Sequence, residues 1–169
     1  MKRKQLTIFL DEIESMAIET IRRKFNPIQF KLIKSHITLC REDEIEDLSR
    51  IQNNLENIDM HDFELQTKGL KRFSEERGVL ISVTDEERKL LKLRELVLQN
   101  ESSVPREYKA HITLMHPRNS TCDDEVFKEI QKIELPQKLS VETISLIEQE
   151  IGKEWKTLKE YKLKKKNDS

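Results

Sequence analysis

The sequence predicts a mixed α+β fold made of two similar halves. Short apolar strand patterns alternate with amphipathic helix patterns, and several strand patterns are followed by hairpin-like returns. The tetrapeptide His-Ile-Thr-Leu also occurs twice, at residues 36–39 and 111–114, which indicates an internal duplication. Strands and helices interleaved in this way favour mixed α+β layers over a doubly wound parallel sheet.

The order of the elements follows from hydrophobic periodicity and local stop signals. Alternating or continuous apolar runs predict strands, whereas apolar residues three or four apart predict helices. Asp11 is expected to cap the first helix, with Glu14 three residues later, and Asn26-Pro27 to end it. Residues 102–105 are expected to form the loop after the third helix. The expected strands are 6–10, 36–39, 63–66, 68–73, 78–83, 111–114, 139–148 and 155–163, and the expected helices are 11–25, 43–55, 84–99 and 123–133.

Composition is that of a soluble protein of one domain. The 169 residues carry 31 Lys+Arg against 32 Asp+Glu, a net charge of −1, so neither charge-driven disorder nor tight nonspecific nucleic-acid binding is indicated. No apolar run approaches the roughly 18 residues of a membrane span, and the run at 6–10 is too short for a signal peptide. We expect residues 1–161 to form a single domain of two lobes and the Lys-rich residues 162–169 to form a frayed tail.

The two cysteines indicate a reducing compartment. Cys40 and Cys122 lie far apart without CxxC spacing, so we expect a cytoplasmic protein with no disulfide and no cysteine-bound zinc. Both are interpreted as small buried or half-buried residues. No HxH or HExxH spacing supports a metal site among the four histidines, and we expect neither metal nor cofactor.

The duplicated tetrapeptide places chemically active side chains on one face of a strand. Because alternate residues of a strand share a face, His36 and Thr38 point one way and the two apolar residues point into the core. His111 and Thr113 repeat this arrangement. A pseudo-two-fold axis between the halves would bring the two pairs together across a cleft.

Two imidazoles and two hydroxyls around one cavity suit phosphodiester chemistry. With an ordinary pKa of about 6.5, one histidine can be neutral and act as a base while the other is protonated and acts as an acid. Thr38 and Thr113 would donate hydrogen bonds to the non-bridging phosphate oxygens, where charge develops. From the residues alone the two histidines are nearly equivalent, so the assignment of acid and base stays open.

These motifs resemble those of the two-histidine (2H) phosphoesterases, the 2′-5′ RNA ligase-like proteins, which are defined by paired HxTx motifs. The resemblance extends to residues 6–10, to 108–110 and to the two closing strands, and the layout is similar to that of small bacterial members. It implies a bilobal fold of two antiparallel sheets with outer helices around a central cleft. It also implies metal-independent opening of 2′,3′-cyclic phosphates, hydrolysis of other cyclic phosphodiesters or reversible 2′-5′ RNA joining, with His36 as proton donor and His111 as acceptor.

Further residues are candidates for substrate contact. Arg118 could pair with phosphate, and Phe73 or Tyr108 could stack on a base. His116 is left outside the catalytic set because Pro117 follows it directly, and His61 lies in a polar loop and is interpreted as solvated.

Three functions are consistent with the sequence. The first is a monomeric hydrolase that opens a cyclic phosphate on a nucleotide or an RNA end and acts on neither DNA nor membranes. The second is a nucleotide or RNA-terminus binding module with little or no turnover; intact histidines argue against it, since binding alone would tolerate Lys or Arg. The third is a structural role in which the repeat is only a relic of duplication.

Overall fold

The structure, a computed structural model, describes residues 1–100 and 106–166 and has the expected α+β class. The strands are β1 (Lys2–Phe9), β2 (His36–Cys40), β3 (Phe63–Phe73), β4 (Gly78–Thr84), β5 (His111–Met115), β6 (Lys138–Val141), β7 (Thr143–Glu150) and β8 (Lys156–Lys162). The helices are α1 (Met16–Phe25), α2 (Pro27–Leu32), α3 (Leu48–Glu56), α4 (Lys89–Leu98) and α5 (Asp124–Gln131), with a short 3₁₀ turn at Glu42–Glu44.

All eight strands belong to one sheet in the order β6-β3-β4-β5-β2-β1-β7-β8, and every neighbouring pair is antiparallel. The sheet consists of two four-stranded halves that meet at β2 and β5, where Ile37 pairs with Ile112. The two expected sheets are therefore joined edge to edge through the two motif strands.

The core lies on one face of this sheet. Ile37, Leu39, Ile112 and Leu114 are fully buried, and α1 and α4 pack their apolar stripes against the same face. Both motif strands alternate half-buried and buried positions, as strand periodicity predicts. The histidines and threonines of the motifs therefore point to the opposite face.

The first helix differs from its expected start. Asp11 accepts hydrogen bonds from the backbone N–H groups of Ile13 (2.8 Å) and Glu14 (3.1 Å), so it caps a turn that precedes α1. The helix begins only at Met16, and Ile13 is 80% exposed instead of buried. Pro27 ends α1 as expected but also opens the short helix α2, because proline suits the first turn of a helix.

The other differences also lie at element boundaries. The helix expected at 43–55 is divided into the 3₁₀ turn and α3, whose N-cap Asp47 accepts from Arg50 N–H. Residues 63–66 and 68–73 form one strand, with Gly69 at a bulge where φ is +103°. The strand expected at 139–148 is two strands, since β6 ends at Val141.

Two further predicted segments lie next to the ends of the described ranges. The loop expected at 102–105 lies outside the described residues. In the expected tail, Lys164 O accepts from Asp62 N–H (2.8 Å) and Lys166 N–H donates to Asp62 (3.1 Å), so the chain is bonded as far as Lys166. Among the described residues, no helix has the length and apolar character needed to cross a membrane.

Candidate active site

The two motifs meet at the centre of the sheet. Because Ile37 pairs with Ile112 in antiparallel register, His36 lies opposite Thr113 and Thr38 lies opposite His111. In a regular antiparallel pair, directly opposite Cβ atoms are about 4.5–5.5 Å apart. The four side chains therefore form one group, with the two imidazoles on a diagonal.

Both imidazoles are held in the same way. His36 Nδ1 lies 2.7 Å from Lys34 O, and His111 Nδ1 lies 2.9 Å from Lys109 O, two residues earlier in each case. A carbonyl oxygen only accepts hydrogen bonds, so each Nδ1 carries a proton and donates it. Each Nε2 is left to take up or give a proton, which is what an acid/base pair needs.

The environment of His36 favours the neutral imidazole. Burial lowers the pKa of His36 from 6.5 to about 4; the hydrogen bond to Lys34 opposes this shift, and the positive charges of Arg22 and His111 add to it. The Phe9 ring meets the His36 ring edge-on at 6.1 Å between centroids. In the free protein His36 is therefore unprotonated at pH 7.

An ion pair between a buried arginine and a half-buried glutamate fixes the start of β2. On α1, Arg22 is 1% exposed, donates to Ile33 O (2.6 Å) and pairs with Glu19 (2.6 Å). Glu19 in turn accepts from Ser35 N–H at 3.0 Å. Lys34, whose carbonyl orients His36, is thus held from both sides by α1.

A second ion pair, this one buried, fixes the other end of β2. Arg94 on α4 pairs with Glu44 (2.8 Å) and donates to Leu39 O (2.6 Å). Its guanidinium also lies 4.4 Å from the centre of the Tyr108 ring, and the Tyr108 hydroxyl donates to Thr38 O at 2.9 Å. Burial raises the pKa of Tyr108, so this hydroxyl is a neutral donor that positions Thr38.

A cleft of about 350 Å³ opens beside Thr38 and His111. Its size is typical of a small-molecule site. The sequence did not predict the part of the cleft wall that comes from β1 and from Trp155, in the turn before β8. The cleft is lined by Arg3, Lys4, Gln5, Thr38, Leu39, Arg41, Glu42, Asp43, Glu44, Arg106, Glu107, Tyr108, Lys109, His111 and Trp155.

The comparisons with known proteins assign the chain to a family. A model of the 2′-5′ RNA ligase superfamily matches residues 9–153, which include both motifs. The chain belongs to this superfamily. No match was found among curated protein sequences.

Solved structures show the same fold. E. coli LigT in its apo form is 19% identical to this chain, with a TM-score of 0.70 over 96% of this chain and 98% of LigT. A crystal structure of a phosphoesterase is 17% identical, with a TM-score of 0.69 over 97% and 99% of the two chains. The protein TT0787 of Thermus thermophilus is 19% identical, with a TM-score of 0.65 over 98% and 100%.

The substrate-contact candidates named from this superfamily resemblance lie in different places. Tyr108 lines the cleft, whereas Phe73 packs over Gly78 on the motif face of the sheet, beside Pro117. Arg118 is exposed next to His116 and does not line the cleft. The structure thus brings Tyr108 to His111 and leaves the other two candidates nearer the end of the second motif strand.

The two remaining histidines differ from the motif pair. His116 Nδ1 accepts from Arg118 N–H (3.2 Å), so its neutral form carries the proton on Nε2. Its backbone N–H donates to Asn26 (3.0 Å), which ties it into a turn. His61 is exposed, as expected. Within residues 1–100 and 106–166, no group of three or more His, Cys, Asp or Glu side chains could hold a metal ion.

Proposed function

We propose that this chain is a metal-independent phosphodiesterase that opens 2′,3′-cyclic phosphates on nucleotides or RNA ends. The observation that carries the proposal is the antiparallel placement of two identical His-x-Thr motifs in which each imidazole uses Nδ1, and not Nε2, for its bond to a backbone carbonyl. Membership of the 2′-5′ RNA ligase superfamily supports phosphoester chemistry.

The reaction uses the four motif side chains. One imidazole takes a proton from water as the water oxygen attacks phosphorus. The other imidazole gives its Nε2 proton to the ribose oxygen as the P–O bond breaks, which leaves a phosphomonoester and a free neighbouring hydroxyl. Thr38 and Thr113 donate hydrogen bonds to the non-bridging oxygens.

The depressed pKa of His36 bears on the roles of the two histidines. A neutral His36 is ready to act as a base, whereas the donor role implied by the resemblance requires the bound phosphate anion to raise its pKa. Profiles of kcat/KM against pH report the free protein, and profiles of kcat report the complex. If His36 is the acid, His36→Ala should lose the limb of the kcat profile that falls with rising pH; if His36 is the base, the variant should lose the limb that rises with pH.

The relatives support a nucleotide ligand. Structures of E. coli LigT were solved with phosphate, 3′-AMP, ATP and NADP+. We infer that this chain also accepts nucleotides, with Tyr108 in the cleft wall and Phe73 and Arg118 as further contacts. It would act as a cytoplasmic monomer, and it would reject DNA, which lacks the 2′-oxygen of the cyclic phosphate.

The test is hydrolysis of the four nucleoside 2′,3′-cyclic phosphates and of an RNA oligomer with a cyclic end, with EDTA present. We expect His36→Ala and His111→Ala each to lower kcat by roughly 10²- to 10⁴-fold. The exposed His61→Ala is the matched control and should retain full activity. Tight binding by the unmutated protein without turnover would contradict the hydrolase and favour a binding module.

A further inference from the structure

Arg3 lines the cleft, and its side chain is held in place by neighbouring residues. It lies on the same face of β1 as Thr7, which pairs with Thr38 of the first motif. Its Nε and Nη2 both donate to Gln149 Oε1, at 2.8 and 2.6 Å. Its guanidinium also lies over the Trp155 indole, 5.0 Å from the ring centre.

The two supports of Arg3 are themselves fixed. Gln149 is 3% exposed, and its Nε2 donates to Lys153 O at 2.6 Å. Trp155 donates its backbone N–H to Leu32 O at 2.9 Å. Because Gln149 and Trp155 are held in this way, Arg3 loses little further conformational freedom when a ligand binds.

The charge of Arg3 is not neutralised by a carboxylate. Three other cations of the cleft wall are paired, Lys4 with Glu148, Arg106 with Asp43 and Lys109 with Glu107, whereas Arg41 lines the cleft as an exposed cation. In the part of the chain that the structure describes, Arg3 has no such ion pair, and its partner is the neutral amide of Gln149. Its remaining N–H groups and its full positive charge are thus available to an anion in the cleft.

We propose that Arg3, held by Gln149 and Trp155, binds the phosphodiester one or two nucleotides upstream of the scissile cyclic phosphate. About 13 Å of extended strand separates the Cα atoms of Arg3 and Thr7, a spacing that suits a phosphate other than the one at the motifs. This subsite, which rests on the proposed function, makes an RNA 3′ end a better substrate than a mononucleotide. Trp155 restricts the movement of the Arg3 side chain by packing against its guanidinium, and it lines the cleft next to it.

The experiment compares three substrates with the same 2′,3′-cyclic phosphate end: a nucleoside, a dinucleotide, and a dinucleotide whose linkage is a neutral methylphosphonate. We expect the charged dinucleotide to be preferred by about 10- to 100-fold in kcat/KM, as suits a charge-assisted hydrogen bond. The methylphosphonate should lose most of that preference. A protein that treats all three substrates alike overturns the subsite.

Two variants distinguish the loss of the Arg3 side chain from the neutralisation of its charge. Arg3→Gln should remove the preference of the charged dinucleotide over the methylphosphonate, and a variant that keeps this preference overturns the subsite. Gln149→Glu should lower the preference with Arg3 still in place, because the arginine then has a carboxylate partner; a thermal melt checks its folding. Lys2→Gln removes a charge of the same strand that is paired with Glu148 and does not line the cleft, so it should keep the preference.

The subsite and the proposed function can fail separately. If no substrate is turned over, the proposed function fails, and the subsite is then tested by binding of the dinucleotide with a 3′-phosphate and of its methylphosphonate analogue. Fluorescence of Trp155, the single tryptophan, reports that binding. Weaker binding of the neutral analogue, with the difference lost in Arg3→Gln, supports the subsite, and equal binding of both overturns it.

Discussion

His36 links the protonation of one residue to the stability of the whole protein. Its pKa is about 4 in the folded protein and 6.5 in a chain where it is solvated. The unfolded state therefore binds more protons between these two values, and acid favours unfolding there. The free energy of unfolding is therefore highest, as far as His36 is concerned, above pH 6.5, and it decreases as the pH falls from 6.5 towards 4.

A histidine substitution tests this linkage. Relative to His36→Asn, the unmutated protein should lose about 3 kcal/mol of unfolding free energy between pH 7 and pH 4, because the variant lacks the titrating imidazole. Urea unfolding at several pH values measures the difference. The other titrating groups are the same in both proteins, so their contributions to the pH dependence cancel in the difference. A difference that stays constant with pH would contradict the assignment.

Strand alternation is a local rule, and it explains why the motif face could be predicted at residue scale. Each motif can be recognised from four consecutive residues, 36–39 and 111–114, because the alternation of polar and apolar residues lies within them. The bond from Arg3 to Gln149 has no such signal, since the two residues are 146 positions apart and are joined only by the pairing of β1 with β7. The lowered pKa of His36 likewise depends on burial beneath neighbouring elements.

At the scale of elements, Arg94 joins α4 to the strand that carries the first motif. Burial opposes ionisation of Glu44, yet the hydrogen bond from Arg94 lowers its pKa. Both side chains are at most 9% exposed, so removal of one leaves the other charge buried without a partner. We expect Arg94→Met to cost about 3–5 kcal/mol of unfolding free energy, measured in urea.

The double variant Glu44→Gln/Arg94→Met is the comparison for this prediction. Because it removes both charges, it should recover part of the loss. A double variant that is less stable than Arg94→Met alone would show that the unpaired charge is not the cause. The hydrogen bond from Arg94 to Leu39 O then becomes the better explanation.

Gly78 makes the start of β4 sensitive to a single methyl group. A Cβ at this position would lie 2.6 Å from two ring atoms of Phe73 and 2.8 Å from Cγ of Pro117. We expect Gly78→Ala to destabilise the protein by about 1–3 kcal/mol, because the rigid proline cannot yield as the phenyl ring can. Thermal unfolding measures the loss, and Phe73→Ala in the same chain should restore only part of it.

Element boundaries show what local patterns could not predict. The strands around the motifs were predicted within two residues because burial and alternation coincide there. The start of α1 was not, because Asp11 is an equally good cap for a turn as for a helix. The division at Glu142 depends on β6 and β7 pairing with strands of different halves, which is a property of the topology.

At the scale of the molecule, the two halves of the sheet come from different parts of the chain. Strands β3, β4, β5 and β6 come from one continuous stretch, residues 63–141, whereas β1, β2, β7 and β8 come from both ends of the chain. The duplication seen in the motifs therefore does not divide the chain into two consecutive domains. One apolar core cluster runs through both halves, and Arg94 of one half pairs with Glu44 of the other.

This arrangement predicts that both halves unfold together. Trp155 reports the half that contains β7 and β8, and the variant Trp155→Phe/Phe127→Trp moves the single tryptophan to α5, in the continuous stretch. Because the halves share one core, each protein should unfold in a single urea transition. In each protein the fluorescence midpoint should coincide with the far-UV circular dichroism midpoint of that same protein, so a difference in overall stability between the two proteins does not affect the comparison. A fluorescence midpoint that departs from the circular dichroism midpoint in either protein would show that the halves are separate folding units.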